Sequence, residues 1–126
     1  AIAMNQKARQ RGVKGTITAA DLAYLEKHKG TCAYCGIKLE VGHGTFDHGI
    51  PFDRGGSNNF HNLTRCCTAC QREKFTKTPA EYDEYKQLMA TCRVCRKVYK
   101  PRWAEWKNGR ARTCSHECAA RLRWIA

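Results

Sequence analysis

Apolar positions are sparse along this chain and come in short groups separated by turn residues. Residues 4–16 follow neither a helical nor a strand period, and Lys7, Arg9, Arg11 and Lys14 stand there among Gln, Gly and Asn. The pattern therefore predicts a mobile basic arm over 1–17, with Ala1 to Ala3, ahead of Met4, set aside from the fold. The first helix signal follows. Thr18 is a candidate N-cap with Asp21 three residues on, and Leu22 and Leu25 precede the break at Gly30. From 31 to 76 short extended pieces alternate with turns, the clearest loop being Gly55-Gly56-Ser57-Asn58-Asn59, and a short helical stretch ends the segment. Thr78-Pro79-Ala80-Glu81 predicts a capped helix running to about residue 90. A last segment, 91–126, ends in a helix predicted from Ser115 or His116, with Glu117 in its first turn. These breaks divide the chain into an arm (1–17), a core (18–90) and a terminal module (91–126).

Such short apolar groups cannot build a large core, and composition supplies the missing stabiliser. Nine cysteines occur in 126 residues, a density at which small domains lean on metal or disulfides. A large-cored metabolic enzyme is excluded. The chain has no apolar run long enough to span a bilayer and no apolar leader near its start, so the expectation is an intracellular, metal-stapled protein without a membrane role. Charge sharpens this: 23 Lys and Arg against 11 Asp and Glu make a formal net charge of +12. It is unevenly spread, +4 over 1–31, zero over 32–90 and +8 over 91–126. A polyanion partner is implied, attracted mainly by the flanks.

The cysteines fall into close doublets. Cys32 with Cys35 and Cys67 with Cys70 frame the middle of the chain; Cys92 with Cys95 and Cys114 with Cys118 frame its end. Each doublet places two thiolates on one edge of a tetrahedron, so the four predict two structural zinc sites, closed to chemistry by their full ligand sets. A disulfide framework is the competing reading. Cys66 is left over as a buried apolar thiol, and a register in which it replaces Cys67 as ligand stays open.

Chemistry must then lie between the first two doublets. Asp47 and His48 stand side by side in Gly44-Thr-Phe-Asp-His-Gly-Ile-Pro51, followed by Arg54-Gly-Gly, Asn62-Leu63 and Cys67-Thr-Ala-Cys70-Gln71-Arg-Glu-Lys74. Imidazole suits the activation of water near neutral pH, and a neighbouring carboxylate can fix a cation for phosphodiester hydrolysis. In this order and spacing, over residues 18–85, the sequence resembles the HNH endonuclease family. The resemblance implies a small α+β, zinc-stapled fold: a ββα-metal core related to the treble clef. It further implies His48 as general base, Asp47 as ligand of one catalytic divalent cation (Mg²⁺, Mn²⁺ or another), and Asn62 as the residue that braces the loop and orients the histidine. At the third position, where His or Asn is usual, this chain has Gln71; either it ligates the cation through a longer arm, or another group such as His61 or His43 contributes. Arg54 and Lys74 are candidate phosphate contacts.

The terminal module resembles a treble-clef zinc unit, with a hairpin expected to carry Val98, Tyr99, Trp103 and Trp106, and with Trp103, Trp106 and Trp124 partly in its core. Its Arg102, Arg110 and Arg112 are candidate DNA contacts. The function these readings imply is metal-dependent cleavage of double-stranded DNA, with a zinc-binding, non-catalytic nucleic-acid module as the alternative. The same resemblance implies a cytoplasmic setting, a bacterial cell or phage-infected host, and a packaging terminase or other DNA-processing protein as a possible partner.

Overall fold

The computed structural model describes residues 1–125, in two compact units, Ala1–Asp83 and the described residues from Glu84 onward. The boundary drawn from sequence lay later, after residue 90.

In the first unit the predicted arm is a helix. α1 (Ile2–Gln10) runs through Met, Gln, Lys, Ala and Arg, all good helix formers, and stops at Gly12, which takes a left-handed φ of 67°. Its inward apolar stripe is only Met4 and the fully buried Ala8, too thin a pattern to register as periodic, and Ile2 and Ala3, set aside from the fold above, belong to the helix. α2 (Ala19–His28) starts at the expected capping box: Asp21 N–H donates to Thr18 Oγ1 (3.1 Å) and Thr18 N–H to Asp21 Oδ2 (2.9 Å). It buries Leu25 against Ile17 and Leu63, with Met4, Leu22 and Phe46 at the edge. Each such burial contributes about 1.5–3 kcal/mol, so this core is small.

Two antiparallel strands come next, β1 (Thr45–His48) and β2 (Leu63–Cys66), in the register Phe46↔Arg65, Asp47↔Thr64, His48↔Leu63. Alternation along β1 sends Asp47 to the buried face and leaves His48 half-buried. α3 (Thr68–Lys74) follows directly and packs on β1. The loop between the strands turns back tightly at Gly56, where an added Cβ would meet the Ile50 carbonyl. Arg65, 1 % exposed, donates to the carbonyls of Glu26, Lys29, Leu39, Glu40 and His43, tying the end of α2 and the turn before β1 to β2.

α4 (Pro79–Gln87) opens on the Thr78–Glu81 box but ends three residues before the expected stop, because Ala90–Thr91 is a strand. That strand, β3, pairs with β4 (Val98–Tyr99). Trp103 and Trp106 lie in a short helix, α5 (Trp103–Lys107), rather than in the expected hairpin, and α6 (His116–Ile125) follows. Trp124 is 89 % exposed, so it is not core. The architecture is thus small α+β, with two short antiparallel sheets among the described residues. No helix among them is long and apolar enough to cross a membrane.

Candidate active site and zinc centres

Sulfur atoms come together in the two predicted quartets, Cys32, Cys35, Cys67, Cys70 and Cys92, Cys95, Cys114, Cys118, each within 4.8 Å of one another. Cys35 and Cys67 Sγ are 3.8 Å apart, and Cys95 and Cys114 Sγ 3.6 Å. A tetrahedral ion with Zn–S bonds near 2.3 Å needs sulfur–sulfur edges of about 3.8 Å. The quartets therefore fit zinc. They do not fit disulfides, whose bond is about 2.05 Å, and all nine cysteines are free thiols. Burial pushes the Cys32 thiol up, but the backbone amides of Cys67, Cys35 and Tyr34 outweigh it and bring it down to about 6. Amides of Cys95, Cys114 and Val94 do the same for Cys92, also against desolvation and also to about 6. One thiol of each quartet is thus favoured as a thiolate, which suits a metal ligand, while burial raises Cys70 to about 12 and the contact with Cys95 raises Cys114 to about 11. Cys66 lies outside the quartet, fully buried, its thiol pushed by desolvation to about 12; Cys67 is the ligand position.

The first quartet also locates the reactive pair. Tyr34, within the Cys32–Cys35 turn, donates its hydroxyl to Asp47 Oδ2 at 2.6 Å. Burial beside that carboxylate raises the Tyr34 hydroxyl well above its ordinary value, so it stays a donor. α3 begins at Cys67, whose Sγ accepts from Cys70 N–H, and carries two side chains to β1. Gln71 Nε2 donates to the Phe46 carbonyl (3.2 Å), so Oε1 is the atom it could offer a cation. Lys74 is wholly buried, with Nζ 3.0 Å from Asp47 Oδ2 and 3.3 Å from the His48 carbonyl. The expected phosphate contact is therefore corrected: Lys74 cannot reach a phosphate, because it neutralises Asp47 from inside. Arg54 is also taken up, both guanidinium nitrogens meeting the carboxylate of Glu81.

His48 has its own support. Nε2 lies 2.8 Å from Oδ1 of Asn58, which is fully buried, and the ring packs on Phe52 at 4.5 Å. Asn62 braces the preceding loop, accepting from Ile50 N–H and donating to the carbonyls of Ile50 and Ser57. Contact with the imidazole itself comes from Asn58, not Asn62. The sequence shows Asn58 only as part of a polar loop, and nothing in the pattern marks Tyr34, Asn58 or Asn5, whose Oδ1 accepts from Asn58 Nδ2 at 2.8 Å; all three were missed.

A cavity of about 600 Å³ joins these groups: Asp47, His48 and Gln71 line it, and Lys7 from α1, Arg11 just after α1 and Arg72 from α3 give it a basic rim. Arg11 is paired there with Asp53 at 2.7 Å. Neither His43 nor His61 is among the described residues that line it. Asp47 and the Gln71 amide offer oxygen donors, the chemistry a hard divalent cation takes while keeping several waters. Arg110 and Arg112 line a separate cavity of about 450 Å³ within the second unit, and Arg102 is the N-cap of α5.

Residues 32–86 match the family model described as HNH endonuclease. The matched span contains the first cysteine quartet, Asp47, His48, Asn62 and Gln71; α1 and nearly all of the second unit lie outside it. No curated protein matches the chain.

Proposed function

We propose that this protein is a metal-dependent endonuclease that hydrolyses phosphodiester bonds of duplex DNA through a ββα-metal site built by β1, β2 and α3. The observation that carries the reading is His48, anchored at one ring nitrogen by buried Asn58, in a cavity shared with Asp47 and Gln71 and rimmed by Lys7, Arg11 and Arg72. The rim holds a phosphate of the backbone in the cavity. The nitrogen of His48 not engaged by Asn58 takes a proton from the attacking water as its oxygen bonds to phosphorus, and the bond from phosphorus to the 3′-oxygen breaks. The products are a 5′-phosphate and a 3′-hydroxyl, the latter protonated from solvent. Oxygens of Asp47 and Gln71 would hold a divalent cation, and its chemistry there would be neutralisation of phosphate charge. Lys74 and Tyr34 keep the Asp47 carboxylate fixed beside β1.

One observation favours the alternative of a non-catalytic DNA-binding module: Asp47 Oδ2 is already met by both Lys74 and Tyr34, which reduces what the carboxylate has left for a metal. Nicking of supercoiled plasmid with Mg²⁺ or Mn²⁺ separates the two. Wild type should nick, and His48→Ala should be slower by on the order of 10²–10⁴ while binding DNA almost as well. A His48→Ala chain that cuts at the wild-type rate would remove the assignment. Wild type that binds without cutting would establish the module instead.

A further inference from the structure

The imidazole of His48 is joined to the backbone of Ile17 by two amide side chains, and the direction of every hydrogen bond in that line is determined. Ile17 offers Asn5 one N–H and one carbonyl, both at 2.8 Å. Those backbone groups cannot exchange roles, so the Asn5 amide has one orientation, Nδ2 on the carbonyl and Oδ1 on the N–H. The same Oδ1 faces Asn58 and can only accept. Asn58 therefore turns Nδ2 to it, at 2.8 Å, and shares that group with the Gly15 carbonyl at 3.2 Å. Its remaining atom, Oδ1, faces His48 Nε2 at 2.8 Å and can likewise only accept. Nε2 must carry the hydrogen, and in the neutral ring Nδ1 holds the lone pair.

We infer that Asn5 and Asn58 are positioning residues that set the tautomer of His48, making Nδ1 its basic atom, and that α1 is thereby part of the reactive site. Asn58 is fully buried, so water cannot replace a lost partner there. Residue 15 is held so close that an added Cβ would lie 2.4 Å from the Asn58 carbonyl carbon, and its φ of +112° is itself one that favours glycine. Asn5 stands outside the segment matched by the HNH endonuclease family, so the line ties a helix of this chain's own to that segment. The inference draws its catalytic meaning from the general-base reading of His48; the tautomer itself does not depend on it.

The test is a long-range ¹H–¹⁵N spectrum of the zinc-loaded full chain, recorded across a pH series. His48 is identified by the signals missing from His48→Ala. Wild type should show Nε2 protonated and Nδ1 bare; an Nδ1–H tautomer overturns the inference directly. Asn5→Ala removes the Oδ1 acceptor and leaves only the longer Gly15 carbonyl contact to orient Asn58. A population of the Nδ1–H tautomer of His48 should then appear beside the wild-type one, and plasmid nicking should fall with it. Zinc content and far-ultraviolet circular dichroism establish that the variant is folded. A single wild-type tautomer in a folded Asn5→Ala chain would overturn the role of Asn5; if that variant fails to fold, the wild-type spectrum decides alone. A chain with the expected tautomer that cuts no DNA would leave the network standing and remove the nuclease reading.

Discussion

Lys74→Met removes the positive charge from a buried pair while keeping most of the side-chain volume. In the wild type Nζ is 3.0 Å from Asp47 Oδ2, with the lysine side chain 0 % and the aspartate side chain 11 % exposed. Coulomb's law at an effective dielectric constant of 20 gives about 5 kcal/mol for charges this close. Desolvation has already been incurred by both groups on folding. Deleting one partner therefore leaves Asp47 uncompensated, a change that typically costs about 3–5 kcal/mol. The His48 carbonyl loses a donor as well. In a unit of 83 residues each kcal/mol moves the melting temperature by about 4–8 °C, so a fall of at least about 12 °C is expected. The assay is far-ultraviolet circular dichroism of the zinc-loaded chain on heating and in denaturant. Asp47→Asn combined with Lys74→Met removes both charges and should recover much of the loss. A single variant within about 1 kcal/mol of wild type, or a double variant no more stable than the single one, would refute the buried-pair reasoning.

The native chain should hold two zinc ions, and Cys67→Ser should lose one of them together with the structure of the first unit; elemental analysis that finds one ion or none in the wild type excludes the double-quartet reading. Lys7→Ala with Arg72→Ala should lower the slope of log affinity for duplex DNA against log salt by about 1.8, and an unchanged slope would place the phosphate elsewhere than in the cavity. Hydrogen bonds from Arg54 and the Thr78 amide hold the Glu81 carboxyl at about 2, below its ordinary 4.5. Because the folded value is the lower one, this contribution is fully present above about pH 4.5 and fades as pH falls toward 2. The stability gap between wild type and Glu81→Gln should close over that window, and a gap independent of pH would dissociate the pair from stability.

What the sequence determined by itself is what short spacings encode. A Cys-x-x-Cys turn places both thiols within one turn of backbone, so the four doublets could be read as two metal quartets before any fold was known. The Thr18–Asp21 and Thr78–Glu81 boxes close over three residues and announced the starts of α2 and α4. Asp47 and His48 were legible as a pair because they are adjacent and stand in a recognisable order with Asn62 and Gln71. Tertiary structure alone decided what each charge and amide does. Lys74 and Arg65 look like surface cations in sequence, yet both are buried, one against a carboxylate 27 positions earlier and the other against carbonyls 22 to 39 positions away. Asn58 reaches Asn5 across 53 residues, and α1 becomes a wall of the cavity although its four apolar residues, Ile2, Ala3, Met4 and Ala8, follow no helical period. Such contacts close long loops, and their partners share no local period, cap or spacing that a linear pattern could carry. A buried polar group finds its role only when the fold sets its hydrogen-bonding complement in reach, and for His48 that complement is Asn58, itself held by Asn5 on a helix the sequence presented as a loose arm.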